Sequence, residues 1–178
     1  MNERNQKVGL QVEVDRLPDG SVDGVLDLEI RRFLQICFPE EAKFTNRRYY
    51  NEKPHMRWLI RSGGTLVAHI AGHSKTFQTC SRPVRFCGIS EVGVVPDYRG
   101  CGYLSKLLNA LEGYYAKQSY PFSILLGPAK IYTRYGYRSV DNIYFPDQSK
   151  DCAEFAMCKS LGSEDWPTDS ISIAGPHF

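Results

Sequence analysis

Along the first part of the chain, the spacing of apolar residues predicts a strand, a turn and a helix. Val8 to Val14 alternates apolar and polar positions, which is the pattern of a half-buried strand. Asp15 to Gly24 contains a Pro-Asp-Gly sequence and predicts a turn region. Apolar residues then recur near helical spacing from Val25 to Ile36, and Asp23 stands where an N-cap is expected.

The middle of the chain predicts a short helix followed by three strands. Glu40 to Tyr50 is polar and aromatic and predicts a short helix with a loop. Ser62-Gly63-Gly64 is a strong turn signal between two apolar runs. The three predicted strands, which would pair as an antiparallel meander, are Arg57 to Arg61, Thr65 to Phe77 and Val84 to Val95.

The second half of the chain contains the clearest helix. Leu104 to Tyr115 places its leucines on one face, because they recur at helical spacing. Phe122 to Leu126 is a continuous apolar run of the kind that a buried strand shows. Lys130 to Tyr135 predicts a short helix that ends at Gly136. Two further strands are predicted, Ser139 to Tyr144 and Glu154 to Lys159.

Together these elements predict an α/β fold. The expected architecture is a mixed sheet of the α+β type, with about six to seven strands flanked by about four helices. The chain has 178 residues, of which 42% are hydrophobic and 24% are charged. This length and composition are ordinary for one globular domain, so a single domain over residues 1–178 is expected.

Charge and apolar run lengths restrict the expected partners. The formal net charge is only +2, whereas nucleic-acid-binding domains usually carry a clustered basic excess. The pairs Arg31-Arg32 and Arg47-Arg48 are the only support for a nucleic-acid module. Because the sequence contains neither an apolar signal segment nor a membrane-spanning run, a cytoplasmic protein with no membrane partner is expected. The six cysteines form no CxxC pair and are expected to be reduced thiols that bind no metal.

The most informative segment runs from Val92 to Leu104. There an apolar strand ends at Pro96, and two glycines precede the clearest helix. A glycine turn at a helix N-terminus exposes backbone N–H groups beside the positive end of the helix dipole, which suits a phosphate group. The loop is neither a Walker loop nor a dinucleotide fingerprint, since no Gly-Lys-Ser/Thr follows and Ser105 occupies the third glycine position.

Two motifs resemble those of the GNAT superfamily of N-acetyltransferases. Arg99-Gly100-Cys101-Gly102-Tyr103-Leu104 resembles its acyl-CoA pyrophosphate motif, Arg/Gln-x-x-Gly-x-Gly/Ala, with Leu104 departing at the last position. Ala129 to Tyr137 resembles a second motif, Ala-x-x-Phe-Tyr-x-x-x-Gly-Phe, although the usual asparagine before it is replaced by Leu126. Residues 57–145 carry the resemblance best.

The resemblance implies the GNAT acyl-CoA N-acyltransferase fold. It also implies an enzyme that transfers an acetyl or other short acyl group from acyl-CoA to a primary amine by direct attack. Acetyl-CoA would be the co-substrate, without a metal or a covalent enzyme intermediate. The cofactor-binding core would span residues 84–137, and the acceptor cleft would come from residues 25–60 and 139–178. The residues expected to bind the coenzyme are Val94, Val95, Arg99, Gly100, Cys101, Gly102, Tyr103 and Leu104.

Candidate catalytic side chains follow from the same resemblance. Tyr132 matches the tyrosine of the second motif and would protonate the departing thiolate. Glu91 is the only acid in the third strand of the meander and would act as the base, directly or through water. His69 and His73 on the neighbouring strand are alternative bases.

Less specific groups complete the expected site. A backbone N–H near Val94 or Val95 would stabilise the oxyanion, as the resemblance implies. Cations that could meet the nucleotide phosphates are Lys106, Lys130 and Arg134. Acids that could attract a cationic amine are Glu40, Glu41, Asp165 and Asp169.

The sequence does not specify the acceptor. Leu66-Val67-Ala68-His69 is similar to aminoglycoside 2'-N-acetyltransferases, whereas Asp165-Trp166-Pro167 is similar to nodulation N-acyltransferases. A small-molecule amine is the expected partner, and a homodimer is left open. The main alternative is a non-catalytic acyl-CoA-binding or sensing module on the same fold, for which the departures at Leu104 and Leu126 are the argument.

Overall fold

The structure, a computed structural model, describes residues 12–147 and 151–178. In this part of the chain, nine strands form one sheet and are accompanied by three α-helices. The strands are β1 (Asp15–Pro18), β2 (Met56–Ser62), β3 (Thr65–Gln78), β4 (Pro83–Val94), β5 (Phe122–Leu126), β6 (Arg138–Ser139), β7 (Ile143–Tyr144), β8 (Ala156–Ser160) and β9 (Ile171–Ser172). The helices are α1 (Gly24–Cys37), α2 (Tyr103–Ala116) and α3 (Ala129–Tyr132).

The sheet is mixed, which confirms the predicted fold class. Its strands lie in the order β1-β2-β3-β4-β5-β8-β6, and β9 pairs with both β3 and β7. β1 to β4 form an antiparallel meander, β4 and β5 run parallel, and β8 returns antiparallel to β5. The described residues contain more strands than predicted and one α-helix fewer, because the segment after α1 forms only a 3-10 turn at Ala42–Thr45.

The two long helices begin and pack as the apolar spacing predicts. The Asp23 carboxylate accepts a hydrogen bond from the Leu26 N–H at 2.8 Å and caps α1. α2 turns its leucine face toward β2, β3 and β4, and it buries Leu107 and Leu111 completely. Burial of this face against the sheet fixes the position of the α2 N-terminus, where the glycine loop ends.

β4 and β5 pair only over the first part of β4. Their parallel register runs from Phe86 opposite Phe122 to Ile89 opposite Leu125, whereas β4 continues to Val94. The last residues of β4 therefore present an edge that is not paired with β5. Such an edge carries N–H and C=O groups with which an extended ligand can pair. The fold thus opens a cleft between the ends of two central strands.

The prediction for the N-terminal segment is wrong where the structure describes it. Val8 to Gln11 lie outside the described residues, and residues 12–14 are not in a strand. The strand β1 lies instead within the predicted turn, with Asp15 opposite Leu59 at the edge of the sheet. Pairing with β2 overrides the weak strand preference of a segment that ends in Pro18, a residue that an edge strand tolerates.

The predicted strand Ser139 to Tyr144 is wrong as a single element. It is divided into β6, which pairs with β8, and β7, which pairs with β9. Asn142 lies in the interruption, and its side chain donates hydrogen bonds to the carbonyl oxygens of Pro167 and Asp169. These bonds tie the chain to the C-terminal segment at the point where it changes strand partner.

Arginines of both Arg-Arg pairs form ion pairs within the fold, and the cysteines form no disulfides. Arg31 pairs with Asp27 at 2.8 Å, and Arg48 pairs with Asp19 at 2.7 Å. All six cysteines are free thiols, as the sequence predicts. Over residues 12–147 and 151–178, no helix is both long enough and apolar enough to cross a bilayer.

Candidate active site

The loop from Arg99 to Leu104 turns sharply before α2. Gly100 and Gly102 have φ angles of +79° and +77°, a left-handed conformation that glycine adopts without strain. A Cβ at either glycine would meet no atom within 4 Å, so the loop is open beside both residues. Gly102 is the N-cap of α2, and the N–H groups of the first helical turn have no partner inside the helix. This geometry suits the predicted anion-binding role.

The two candidate oxyanion donors at the end of β4, the N–H groups of Val94 and Val95, face opposite edges of the strand. The Val95 N–H donates to the Val67 carbonyl at 2.9 Å and is therefore used within the sheet. Successive residues of a strand direct their backbone groups to opposite edges, so the N–H of Val94 faces the cleft. The Val94 carbonyl, on the same edge, accepts a hydrogen bond from Arg99 Nε at 3.1 Å. The geometry therefore favours the N–H of Val94 over that of Val95 as the candidate oxyanion donor.

A cavity of about 570 Å³ lies between the glycine loop, the end of β4 and the segment around α3. Its lining includes Val94, Arg99, Gly102 and Tyr132. Leu104, which departs from the family motif, lies in the first turn of α2 and forms part of the same wall. The cavity therefore connects the predicted pyrophosphate loop to the predicted acid.

A second cavity of about 770 Å³ adjoins the first. It is bounded by the end of α1, the following 3-10 turn, the ends of β4 and β5, and the C-terminal segment. Four residues line both cavities: Phe38, Val92, Ile131 and Tyr132. A ligand in the smaller cavity and a ligand in the larger one would therefore meet beside these four residues.

Tyr132 stands at this junction because of a glycine before α3. Its ring packs so closely on Gly127 that a Cβ there would lie 2.6 Å from the ring carbon Cε2. This contact explains why a glycine stands at position 127, just before Pro128 and the second motif. Burial raises the pKa of the Tyr132 phenol to about 12, with a smaller contribution from Tyr135. The phenol is thus protonated at neutral pH and available as a proton donor.

Glu91 lies in a bulge of β4, where the pairing with β3 changes register. Its φ of +48° is a strained value for a residue with a side chain. Oε1 accepts a hydrogen bond from the Tyr50 N–H at 2.8 Å, while Oε2 is buried with no hydrogen-bond partner among the described residues. Burial raises the pKa of Glu91 to about 7, although the charge of Arg57 acts to lower it. This carboxyl group, which lines the larger cavity, is suited to accept a proton near neutral pH.

A buried polar network lies behind Glu91. Arg57 is fully buried, and its Nε donates to Asp19 Oδ1 at 2.7 Å. The Nη1 of Arg57 lies 2.9 Å from His69 Nε2, and His69 Nδ1 lies 2.8 Å from the Glu91 carbonyl oxygen. Burial, with a smaller contribution from Arg57, lowers the pKa of His69 to about 3. His69 is therefore neutral with both ring nitrogens engaged, and it supports the bulge rather than facing an acceptor.

His73, the other alternative base, belongs to a separate chain of polar contacts. Its Nε2 lies 2.8 Å from Ser90 Oγ, and its Nδ1 lies 3.3 Å from Glu52 Oε1. Burial lowers the pKa of His73, against the opposing effect of Glu52. The Ser90 hydroxyl also acts on the neighbouring Glu91 carboxyl group and lowers its pKa. His73 thus contacts the candidate base indirectly, through Ser90.

The less specific predicted residues divide between the cavities and the surface. Arg134 lines the smaller cavity, whereas Lys106 and Lys130 are exposed. Glu41 is the predicted acid that lines the larger cavity. Cys101 is exposed within the glycine loop.

Sequence reasoning missed four residues of the site. Ser90 and Tyr50 act on Glu91 through a hydroxyl and a backbone N–H. Phe155 lines the larger cavity, is 70% exposed and has a φ of +58°. Gly127 alone carried a sequence signal, because a Gly-Pro pair directly after an apolar strand marks a constrained turn. The other contacts join segments that are distant in the chain.

The mixed sheet in which β4 extends beyond its pairing with β5, the glycine loop before α2 and the cleft beside β4 define an acetyltransferase-type fold. The sequence profile of the acetyltransferase (GNAT) domain matches residues 13–140. The chain therefore belongs to the GNAT acetyltransferase family. No curated protein sequence matches the chain significantly.

Solved structures of this family have a similar fold. YhbS, a GNAT family N-acetyltransferase from Escherichia coli in complex with CoA, has a TM-score of 0.67 and 12% identity, with 93% of this chain and 91% of that chain covered. A GNAT family acetyltransferase from Brucella melitensis in complex with acetyl-CoA has a TM-score of 0.59 and 17% identity, with 89% and 94% covered. Eis1 from Mycobacterium abscessus has a TM-score of 0.55 and 14% identity, with 70% of this chain but only 31% of that chain covered. At these identities the similarity establishes the fold alone.

Proposed function

We propose that this protein is an N-acetyltransferase that transfers an acetyl or other short acyl group from acyl-CoA to a primary amine by direct attack. The observation that carries the proposal is the junction of the two cavities beside Tyr132. The smaller cavity leads from the glycine loop, and the larger one contains the Glu91 carboxyl group. A thioester and an amine held in these cavities would meet between a proton donor and a proton acceptor.

The glycine loop fits the coenzyme that this reaction requires. Acetyl-CoA supplies the activated acyl group, and its pyrophosphate would lie against the backbone N–H groups from Gly100 to Leu104. The left-handed glycines and the open space beside them leave these N–H groups accessible. Arg99 can add a charge interaction, because its side chain is exposed at the same loop. Two similar structures, of YhbS and of the Brucella enzyme, contain CoA and acetyl-CoA.

Glu91 is the proposed base. It would take a proton from the ammonium group of the acceptor, directly or through water, and so create the neutral amine that attacks the thioester carbon. The pKa of about 7 leaves a large fraction of Glu91 ionised at neutral pH while keeping it basic enough to accept a proton. Oε2, which accepts no hydrogen bond among the described residues, is the atom that would receive this proton.

Val94 and Tyr132 would stabilise the charge that develops during attack. The Val94 N–H faces the cleft and would donate a hydrogen bond to the carbonyl oxygen as it becomes an oxyanion. Tyr132 would donate its phenolic proton to the sulfur as the C–S bond breaks. The products are the amide and the coenzyme thiol. The proton accepted by Glu91 returns to solvent, and the second proton that the attacking nitrogen loses restores the Tyr132 phenol.

Thiol release from acetyl-CoA over a panel of primary amines tests this function. Amine-dependent thiol release with formation of the N-acetyl product, confirmed by mass spectrometry, is expected. A protein that binds acetyl-CoA in calorimetry but releases no thiol with any amine would favour the acyl-CoA-sensing alternative. The E91Q variant provides the matched test, because it should retain acetyl-CoA binding while losing turnover.

A further inference from the structure

The larger cavity is walled by aromatic rings on two sides. Phe38, Phe44 and Tyr50 form one wall, with ring centroids 5.7 Å apart for the first pair and 6.3 Å for the second. Phe145 and Phe178 contribute to the other, with centroids 6.1 Å apart. A volume of about 770 Å³ is in the range of pockets that enclose a small organic molecule. Aromatic walls favour a flat, apolar ligand over a strongly hydrated one.

The same cavity is lined by carboxyl groups. Its described lining contains four carboxyl groups and neither lysine nor arginine, the acids being Glu41, Glu91, Asp151 and Glu154. The Glu91 Oε2 atom is buried and accepts no hydrogen bond among the described residues, although Arg57 Nη1 forms an ion pair with it at 3.5 Å. The ion pair with Arg57 leaves this oxygen without a hydrogen bond, which a ligand ammonium group would supply. The apolar walls and this oxygen together favour a ligand that has an ammonium group attached to an apolar group.

Phe155 adds a specific aromatic contact at this cavity. Its side chain is 70% exposed, and its φ of +58° is a conformation that bulky residues rarely adopt. The Phe155 carbonyl accepts a hydrogen bond from the Gly127 N–H at 2.9 Å, which links the strained residue to the turn that positions Tyr132. Exposure of a large ring and backbone strain both oppose stability, and both are expected where a side chain contacts a ligand.

We infer that the acceptor is a small primary amine carried on an aromatic or similarly bulky apolar group, with Phe155 as a contact for that group. This inference rests on the proposed function and names its substrate class. The ammonium group would point to Glu91 Oε2, and the apolar body would lie between the aromatic walls. Polyamines carry several charges along a thin methylene chain, and aminoglycosides carry hydroxyl and amino groups on every ring. Neither offers an aromatic or bulky apolar group to those walls.

Rates with matched amines test the inference. In a thiol-release assay with saturating acetyl-CoA, kcat/KM for 2-phenylethylamine should exceed that for propylamine, spermidine and an aminoglycoside by about tenfold or more, because only the first buries an aromatic ring. The F155G variant removes the ring, and glycine adopts the observed φ without strain. It should raise KM for 2-phenylethylamine about threefold to tenfold more than it raises KM for propylamine.

Two control variants complete the experiment. F155Y keeps the ring and should retain the preference, while Val25→Ala removes an exposed apolar side chain of α1 and should change no rate. Equal rates for all four amines, or an F155G effect that is the same for every amine, would overturn the substrate class and leave the N-acetyltransferase function intact. No thiol release with any amine would overturn both.

Discussion

Arg57 Nη1 lies 3.5 Å from Glu91 Oε2, and both side chains are buried. Burial raises the pKa of the glutamate to about 7, and the arginine acts in the opposite direction. Asp19, bonded to the same guanidinium group, partly offsets the charge that Glu91 experiences. Two opposing effects therefore hold the pKa of Glu91 near 7. Burial raises the pKa, and the positive charge of Arg57, which also pairs with Asp19, lowers it.

E91Q should remove the base while keeping the shape of the site. Since Glu91 must be ionised to accept a proton, kcat/KM of the unmodified protein should rise with pH up to about 7 and then level off. In E91Q this rise of kcat/KM with pH should disappear, and kcat/KM at neutral pH should fall about 10²- to 10⁴-fold. Measuring kcat/KM from pH 5 to 9 with one acceptor for both proteins removes the contribution of the amine's own titration.

The matched control for this change is E164Q. Glu164 forms an exposed ion pair with Arg82 at 2.6 Å and lines neither of the two cavities. E164Q should keep the pH profile of the unmodified protein. An E91Q profile with the same step and a comparable rate would show that Glu91 is not the base.

Ser90 should shift the pH at which kcat/KM rises, as one of the smaller contributions to the pKa of Glu91. Its hydroxyl lowers the pKa of Glu91, so S90A should raise that pKa and move the ascending limb of kcat/KM to higher pH. The loss of rate should accordingly be larger at pH 6 than at pH 9. S90T keeps a hydroxyl group and should restore the original limb. A uniform loss at every pH in S90A would indicate a structural role for the His73–Ser90 contact instead.

Y132F should affect turnover rather than coenzyme binding. Removing the phenolic proton donor should lower kcat about 10²-fold or more, because the sulfur then departs without a proton. The Kd for acetyl-CoA, measured by calorimetry, should change little, since the ring that packs on Gly127 is kept. Y120F, which alters a tyrosine packed against Tyr115, is the control and should retain full activity. Unchanged kcat in Y132F would remove the acid assignment.

Elements defined by local apolar spacing were predictable from the sequence. The helix predicted from Leu104 to Tyr115 is α2 with one residue added at each end, and the strand predicted from Phe122 to Leu126 is β5. Both patterns are set by neighbouring positions, so they are legible without the tertiary structure. β1 was not predictable in this way, because Asp15–Pro18 lacks an apolar pattern and becomes a strand only through its pairing with β2.

The candidate site was predictable as far as its motifs extend. The motifs indicated Tyr132 and the glycine loop, and the isolated acid in an apolar strand indicated Glu91. The positive φ of Glu91, its hydrogen bond from the Tyr50 N–H and the exposure of Phe155 are properties of the tertiary structure. Spacing along the chain does not reveal such contacts, because 41 positions separate Tyr50 from Glu91.

The two glycines of α2 and its loop provide a matched test of the coenzyme cradle. Gly102 has a φ of +77°, so G102A places a Cβ in a left-handed conformation that costs about 1–2 kcal/mol. We expect a lower Tm together with a higher Kd for acetyl-CoA, because the turn that presents the backbone N–H groups is distorted. Gly113 lies within α2, is exposed and has open space at its Cβ. G113A should stabilise the fold by about 0.5–1 kcal/mol and leave the Kd unchanged. If G102A lowered Tm without weakening acetyl-CoA, the loop would be a structural turn only.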